Sequence, residues 1–353
     1  MSMQSQITHL LPGAAIRRER LMPTGGRIIA RRGQQVNPAD IVAEAMVRPE
    51  HLLLDISRGL GLPPNEADHY IQRRAGDEVG EGDVIAGPVG IAHRVVRTPR
   101  SGTVVVTGGG QVLLELEGVF AELKAGYTGV VADIIGDRGV VIESVGSLIQ
   151  GVWGNGKINY GLLNILAHAP DEVVSSAMMD VGSRGAVVMA CHCDDERVLT
   201  SAEDLPIRGM ILASMDSSLV PAALKVSYPI ILVEGFGNLP MNQDAFNILS
   251  SGSMREVSVN AEPWNRIANT RPEALIALPT GVSAEMPADS APFAVGQTVR
   301  IVSPPYKSMV GILTNLLPGL SILPSGIRAQ AAGVRLLKGD TVQVPLANLE
   351  IIG

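Results

Sequence analysis

The sequence predicts a multi-domain protein of mixed α/β and β class: a duplicated β assembly, then a central parallel α/β unit, then a small closing barrel. Three observations predict it. A strand–turn–strand frame recurs at fixed spacing in the first half, continuous apolar runs alternate with helix-compatible segments in the middle, and short alternating strands fill the tail. With 353 residues, the chain has room for two or three domains at about 150 residues each. The expected boundaries are 1–170, 171–278, a linker over 279–292, and 293–353.

Composition narrows the class. Apolar residues make up 46% and charged residues 18%, which excludes a disordered chain. Aromatics are only 3%, so aliphatic side chains and methionine must fill the cores. The 39 glycines and 23 prolines point to many turns between short elements. A net charge of −7 excludes a protein that binds polyanions over its whole surface. Six arginines nevertheless cluster between Arg17 and Arg32 against Glu19 alone, which reads as a solvated face or a local basic patch.

Those arginines follow the weakly apolar Leu10–Ile16 stretch, the reverse of a secretory leader. The uncharged run Ser308–Ile327 is broken by Pro318 and Pro324 and does not read as a membrane span. Cys191 and Cys193 are too close for an ordinary disulfide, and a reducing cytoplasm is expected.

The first repeat relates residues 28–45 to 71–88. At a constant offset of 43, Ile28 matches Ile71, Gly33 Gly76, Val36 Val79, Asp40 Asp83, Val42 Ile85 and Ala43 Ala86. The frame reads as a strand, a glycine turn, and a second strand entered through an aspartate that bonds its own backbone. A second pair, 101–118 and 128–146, reads as two hairpins with glycine turns. Between the frames, Pro49–Tyr70 reads as a short helix and a turn.

These segments carry a resemblance. The frame GDEVGEGDVIA, TPRSGTVVVTGGGQVLLELE and LKAGYTGVV resembles the barrel-sandwich hybrid of biotinyl and lipoyl carrier domains over roughly residues 20–160. Non-acylated versions occur in efflux adaptors and at the amino end of a cluster-carrying subunit of ion-translocating electron-transport complexes. The resemblance implies a modified lysine on a hairpin at Glu117-Gly118-Val119-Phe120. No lysine stands there and Lys124 lies further on, so neither biotin nor lipoate is expected, and no other cofactor is predicted.

Gly151, Gly154, Gly156 and Lys157 satisfy G-x4-G-K, the spacing that cradles phosphate when a strand runs into a helix. Ile158 stands where the magnesium-holding hydroxyl belongs, and a β turn packed by Trp153 explains the same glycines. In the middle, strands are expected at Gly185–Ala190, Ile207–Ala213, Tyr228–Val233 and Glu256–Asn260. Helices are expected at 172–180, 199–204, 217–226 and 242–251. Such sheets gather ligands beyond the carboxyl ends of their strands. There, Glu234 and Asp216 are candidate general acid and base, and Cys191 and Cys193 are candidate metal ligands if they converge on one face. Helix capping by Asp216, Ser217 and Asn242, and buried thiols, account for the same residues without function.

In the tail, strands at Gln297–Val302, Val310–Asn315, Gly333–Leu337 and Thr341–Val344 fit a small SH3-like barrel. Its GQTVRI, YKSMVG and VPLANLE stretches resemble the KOW element of transcription and ribosomal proteins. That resemblance makes Arg300, Lys307 and Arg328 candidate nucleic-acid contacts, with Tyr306 for base stacking. The whole arrangement also resembles a family of multi-domain bacterial proteins, some carrying a stretch similar to Ile149–Gly154. It supplies an architecture and no activity.

Three functions follow as expectations. The leading one is a non-catalytic scaffold that docks onto protein partners through its β modules. The second is an enzyme or a small-ligand or metal binder using the α/β crevice. The third is an RNA-, transcription- or ribosome-associated factor acting through the tail.

Overall fold

The computed structural model describes residues 4–46, 50–90, 92–116, 120–265, 270–278, 286–336 and 339–353. The expected carrier-type turn at 117–119, and residues 279–285 of the expected linker, lie outside the described residues. The chain is 48% strand and 15% helix, a mainly β protein with several mixed sheets. It forms two compact units, one of Met1–Leu21, Ile29–Val42 and Lys124–Gly353, the other of Met22–Ile28 and Ala43–Leu123.

The sequence repeat is a repeat of structure. Gly33 N–H donates to Val131 O at 2.7 Å, and Gly76 N–H donates to Val104 O at 2.8 Å. The Asp40 carboxylate accepts from Asn37 N–H at 2.7 Å, and that of Asp83 from Gly80 N–H at 3.1 Å. Gly33 and Gly76 both take positive φ, +83° and +94°, which a Cβ would penalise. Val36 and Val79 are both buried, worth about 1.5–3 kcal/mol each.

Each frame pairs with its own hairpin. Gln35–Val36 lies against Gly129–Ile135, and Glu78–Val79 against Gly102–Gly108. Matching bulges interrupt the two hairpins, between Val131 and Asp133 and between Val104 and Val106. A fourth strand completes each set, Leu10–Leu21 on Gly139–Gln150 and His51–Asp55 on Gln111–Leu116. The same four-strand layout is therefore built twice, and along the chain the second lies between the halves of the first. His51–Asp55 corrects part of the helix expected over Pro49–Tyr70, because those residues pair with a hairpin edge before the short helix Ile56–Leu60 begins.

In the larger unit, the hairpin strand Gly139–Gln150 continues into an eleven-stranded sheet. Ile158–Ile165, Ala186–Cys193, Gly209–Met215 and Ile230–Phe236 run parallel. Glu256–Asn260 and Glu273–Ala277 then lead back antiparallel to Gly139–Gln150. The expected boundary at 170 is corrected by this ladder: Leu163 pairs with Val187, so one sheet spans it. The mainly parallel sheet is likewise corrected to a mixed one.

Helices Glu196–Asp204 and Val220–Lys225 pack with Val188, Met210 and Leu232, while Gln243–Ser251 packs with Val187, Ile211 and Val233. Alternate residues of each strand thus face different helices, which is why the strands read as continuous apolar runs. Asn242 caps the helix Gln243–Ser251, its Oδ1 accepting from Asp244 N–H at 2.8 Å. The helix expected over 172–180 is reduced to a single 3-10 turn, Ser176–Met178. Its start is instead extended, with Val174 N–H bonded to His192 O at 2.8 Å.

The tail forms a seven-stranded sheet. Residues near both ends of the chain complete it, since Ile7 pairs in parallel with Ile351 and Gln4–Thr8 pairs with Ser290–Pro292. No helix among the described residues is long and apolar enough to cross a membrane.

Candidate functional site

Glu234 stands near the carboxyl end of the parallel strand Ile230–Phe236. Its Oε1 accepts from the Asn242 N–H at 3.0 Å, and its Oε2 lies 3.0 Å from Arg300 Nη2. Arg300 and Glu350 are register partners on neighbouring tail strands, with Nη1 3.8 Å from Oε2. Glu350 also forms an ion pair with Arg271, whose guanidinium lies over the Trp264 ring at 4.0 Å from its centroid. Four charges therefore alternate in a line, and none of these side chains is more than 9% exposed.

Burial dominates the electrostatics of this line. Desolvation pushes the Glu234 carboxyl above its ordinary range, more than Arg300 and the Asn242 N–H draw it down, and Glu350 adds to the rise. Breaking one member of such a buried pair strands its partner's charge, at a cost of about 3–5 kcal/mol.

The cluster forms part of the wall of a cavity of about 470 Å³. Trp153, Phe236, Trp264 and Phe293 supply its apolar surface, and Lys307 and Ser308 also line it. Trp153 and Phe236 meet edge to face, 5.6 Å between centroids. A second cavity of about 760 Å³ shares Glu234, Lys307 and Ser308 and is lined further by Met241, Tyr306, Met309 and Asp340. Volumes of this size and mainly apolar walls with a few charged groups suit a small organic molecule.

A second buried network holds Glu273. It accepts from Arg18 Nε and Nη2 at 3.1 and 2.8 Å, from Tyr127 OH at 2.7 Å and from Gln150 Nε2 at 2.7 Å. Desolvation raises its pKa, but Arg18 and these hydrogen bonds outweigh it and hold the carboxyl below its ordinary range. Arg20 pairs with Glu262 in the same way. The arginine cluster is divided: Arg17, Arg27, Arg31 and Arg32 are exposed, as a solvated face expects, whereas Arg18 and Arg20 are largely buried against Glu273 and Glu262 and correct that reading. With its acceptors filled, this cluster ties the strands of the sheet together.

The candidate pair Glu234 and Asp216 is not brought together, for Asp216 lines neither cavity. Instead its Oδ1 lies 3.9 Å from His192 Nε2, and His192 Nδ1 meets Ser214 Oγ at 2.9 Å. Ser214 is fully buried and bonded to both the N–H and the carbonyl of Leu239, so it pins a loop. Sequence reasoning missed this serine–histidine contact, which depends on pairing between adjacent strands.

Cys191 and Cys193 do not converge. Cys191 packs with Met189 on the side of helix Gln243–Ser251, and Cys193 with the two other helices. Desolvation pushes both thiols up, Cys191 to about 12 and Cys193 to about 11. Among the described residues no three His, Cys, Asp or Glu side chains form a metal-holding group.

The glycine stretch 151–156 runs from strand to strand, since Ile158 opens the strand Ile158–Ile165 where a phosphate loop needs a helix. A Cβ on Gly154 would stand 2.3 Å from Ala261 O, and one on Gly151 2.6 Å from Ile231 Cγ2, so both glycines serve close packing. Gly156 has positive φ, and Lys157 Nζ donates to Leu224 O at 2.9 Å. The phosphate cradle is corrected on these grounds.

Among the tail residues, Arg300 is buried in the ion-pair line and is no surface contact. Lys307 is exposed at the cavities, Arg328 is exposed on a two-stranded ribbon with Ile322, and Tyr306 packs against the tail core. Arg271, Trp264 and Glu350 escaped sequence reasoning. A signal for them existed: in a chain poor in aromatics, both tryptophans and two of the four phenylalanines line one cavity. No protein-family model matches the chain, and no curated protein matches it.

Proposed function

We propose that the protein binds a small organic molecule in the cavity beyond the carboxyl end of the strand Ile230–Phe236. The observation that carries this reading is the line Glu234, Arg300, Glu350 and Arg271, buried beside an aromatic wall. Charged groups are costly to bury, and here they are arranged along open volume. The position agrees with the rule that ligands of open α/β sheets sit beyond the strand ends. No bond-making chemistry is assigned.

The β modules supply the frame. The nested four-strand layouts support a barrel-sandwich relationship, and the seven-stranded tail supports an SH3-like one. Ligand screening reads this function directly, because both tryptophans of the chain line the cavity and its occupation must alter intrinsic fluorescence. A broad metabolite screen with neither a fluorescence change nor thermal stabilisation would refute the proposal.

Docking onto a protein partner is a second reading, favoured by one observation. Leu53, Leu113 and Val106 are register neighbours on three adjacent strands, and Leu53 and Val106 are 56% and 54% exposed. Leu53→Asp is expected to abolish co-purification of a stoichiometric partner from the native host. Purification of the wild type without any partner would count against docking.

A further inference from the structure

We propose that the ligand is an organic anion, its apolar body against the aromatic wall and its carboxylate or phosphate held by Lys307 and Arg300; this rests on the binding reading above.

Charge balance points to an anion. Within the buried line two guanidinium groups face two carboxylates and compensate. Lys307, shared by both cavities, has no ion pair or hydrogen bond among the described residues and leaves the aromatic cavity one positive charge in excess. A bare ammonium at the mouth of a low-dielectric cavity favours an anionic guest.

Arg300 supplies the second, independent observation. Its guanidinium is buried, yet Nε, Nη1 and Nη2 make no hydrogen bond, so its contacts to Glu234 and Glu350 are charge contacts without hydrogen-bond geometry. Buried donors without acceptors are costly, and an oxyanion in the cavity supplies acceptors. Trp153 and Phe236 then form a wall for a planar or apolar body. Carboxylate and phosphate share this chemistry, and the probes below separate them.

The test uses the full chain and three probes with a common phenyl body: phenylacetate, phenyl phosphate and neutral phenylacetamide. Affinity is read from tryptophan fluorescence. At least one anion is expected to bind about tenfold more tightly than phenylacetamide, the worth of one charge-assisted contact. Lys307→Gln should erase that preference, bringing the anions to the affinity of phenylacetamide, and keep the melting temperature, since Lys307 is exposed. Equal binding of all three probes, or a preference that survives Lys307→Gln, overturns the anion inference while the cavity remains a binding site. Absence of any response to all three overturns the binding reading and this inference with it.

Discussion

Glu234 and Arg300 meet with Oε2 3.0 Å from Nη2, their side chains 2% and 3% exposed, although one closes a parallel strand of the large sheet and the other lies in the tail. The contact joins two parts of the larger unit that the sequence presents as separate domains. Both residues also line the cavity of about 470 Å³.

Arg300→Met is expected to cost about 3–5 kcal/mol, because it leaves the buried Glu234 carboxylate without its cation, while Glu350 keeps Arg271. Adding Glu234→Gln should recover part of that loss. Urea denaturation of the single and double variants measures the coupling, and strictly additive losses would show the pair to be energetically independent.

Stability should respond to pH in two opposite ways. The folded Glu273 and Glu262 carboxyls lie below their ordinary 4.5, where burial is outweighed by Arg18 and Arg20. Their contribution is full above that value and is lost as pH falls through the folded pKa. Glu234 lies above 4.5 for want of solvation, so its contribution is full below 4.5 and is lost as pH rises through its folded pKa. Denaturation midpoints across a pH series should therefore show a shallower acid limb in Glu273→Gln and a flatter profile above 4.5 in Glu234→Gln.

With thiols raised to about 12 and about 11, Cys191 and Cys193 should resist alkylation in the native state. At pH 8 the thiolate fraction is at most roughly 0.1%, before burial slows access further. Mass spectrometry after iodoacetamide treatment should find both labelled only once the chain is unfolded. Rapid native labelling would show that the strand Ala186–Cys193 opens.

Gly33→Ala and Gly76→Ala should destabilise their respective units by similar amounts, about 1–2 kcal/mol, because both glycines hold left-handed φ with open space around the Cβ position. Thermal unfolding of the two variants checks this. A large cost at one position and none at the other would separate the two frames energetically.

Much of the fold was legible. The offset that pairs Gly33 with Gly76 and Asp40 with Asp83 reports turns made locally, so it survives in a linear reading. The strands of the α/β part were legible as well, because burial on both faces writes continuous apolar runs. The site was legible only through Glu234 and Lys307. Arg300 reads as a surface base because neither Glu234 nor Glu350 is near it in sequence, and Arg271 and Trp264 follow no motif spacing.

The amino-acid sequence by itself determined the short-range items: glycine turns, helix caps, strand runs and the duplication. Only the tertiary structure decided which hairpin serves which frame, that strands near the two ends of the chain pair in one sheet, and that Arg18, Arg20, Arg271 and Arg300 are buried against glutamates. The physical reason is range. Turn geometry and side-chain alternation act between neighbours, whereas strand order and charge pairing depend on which distant segments share one core.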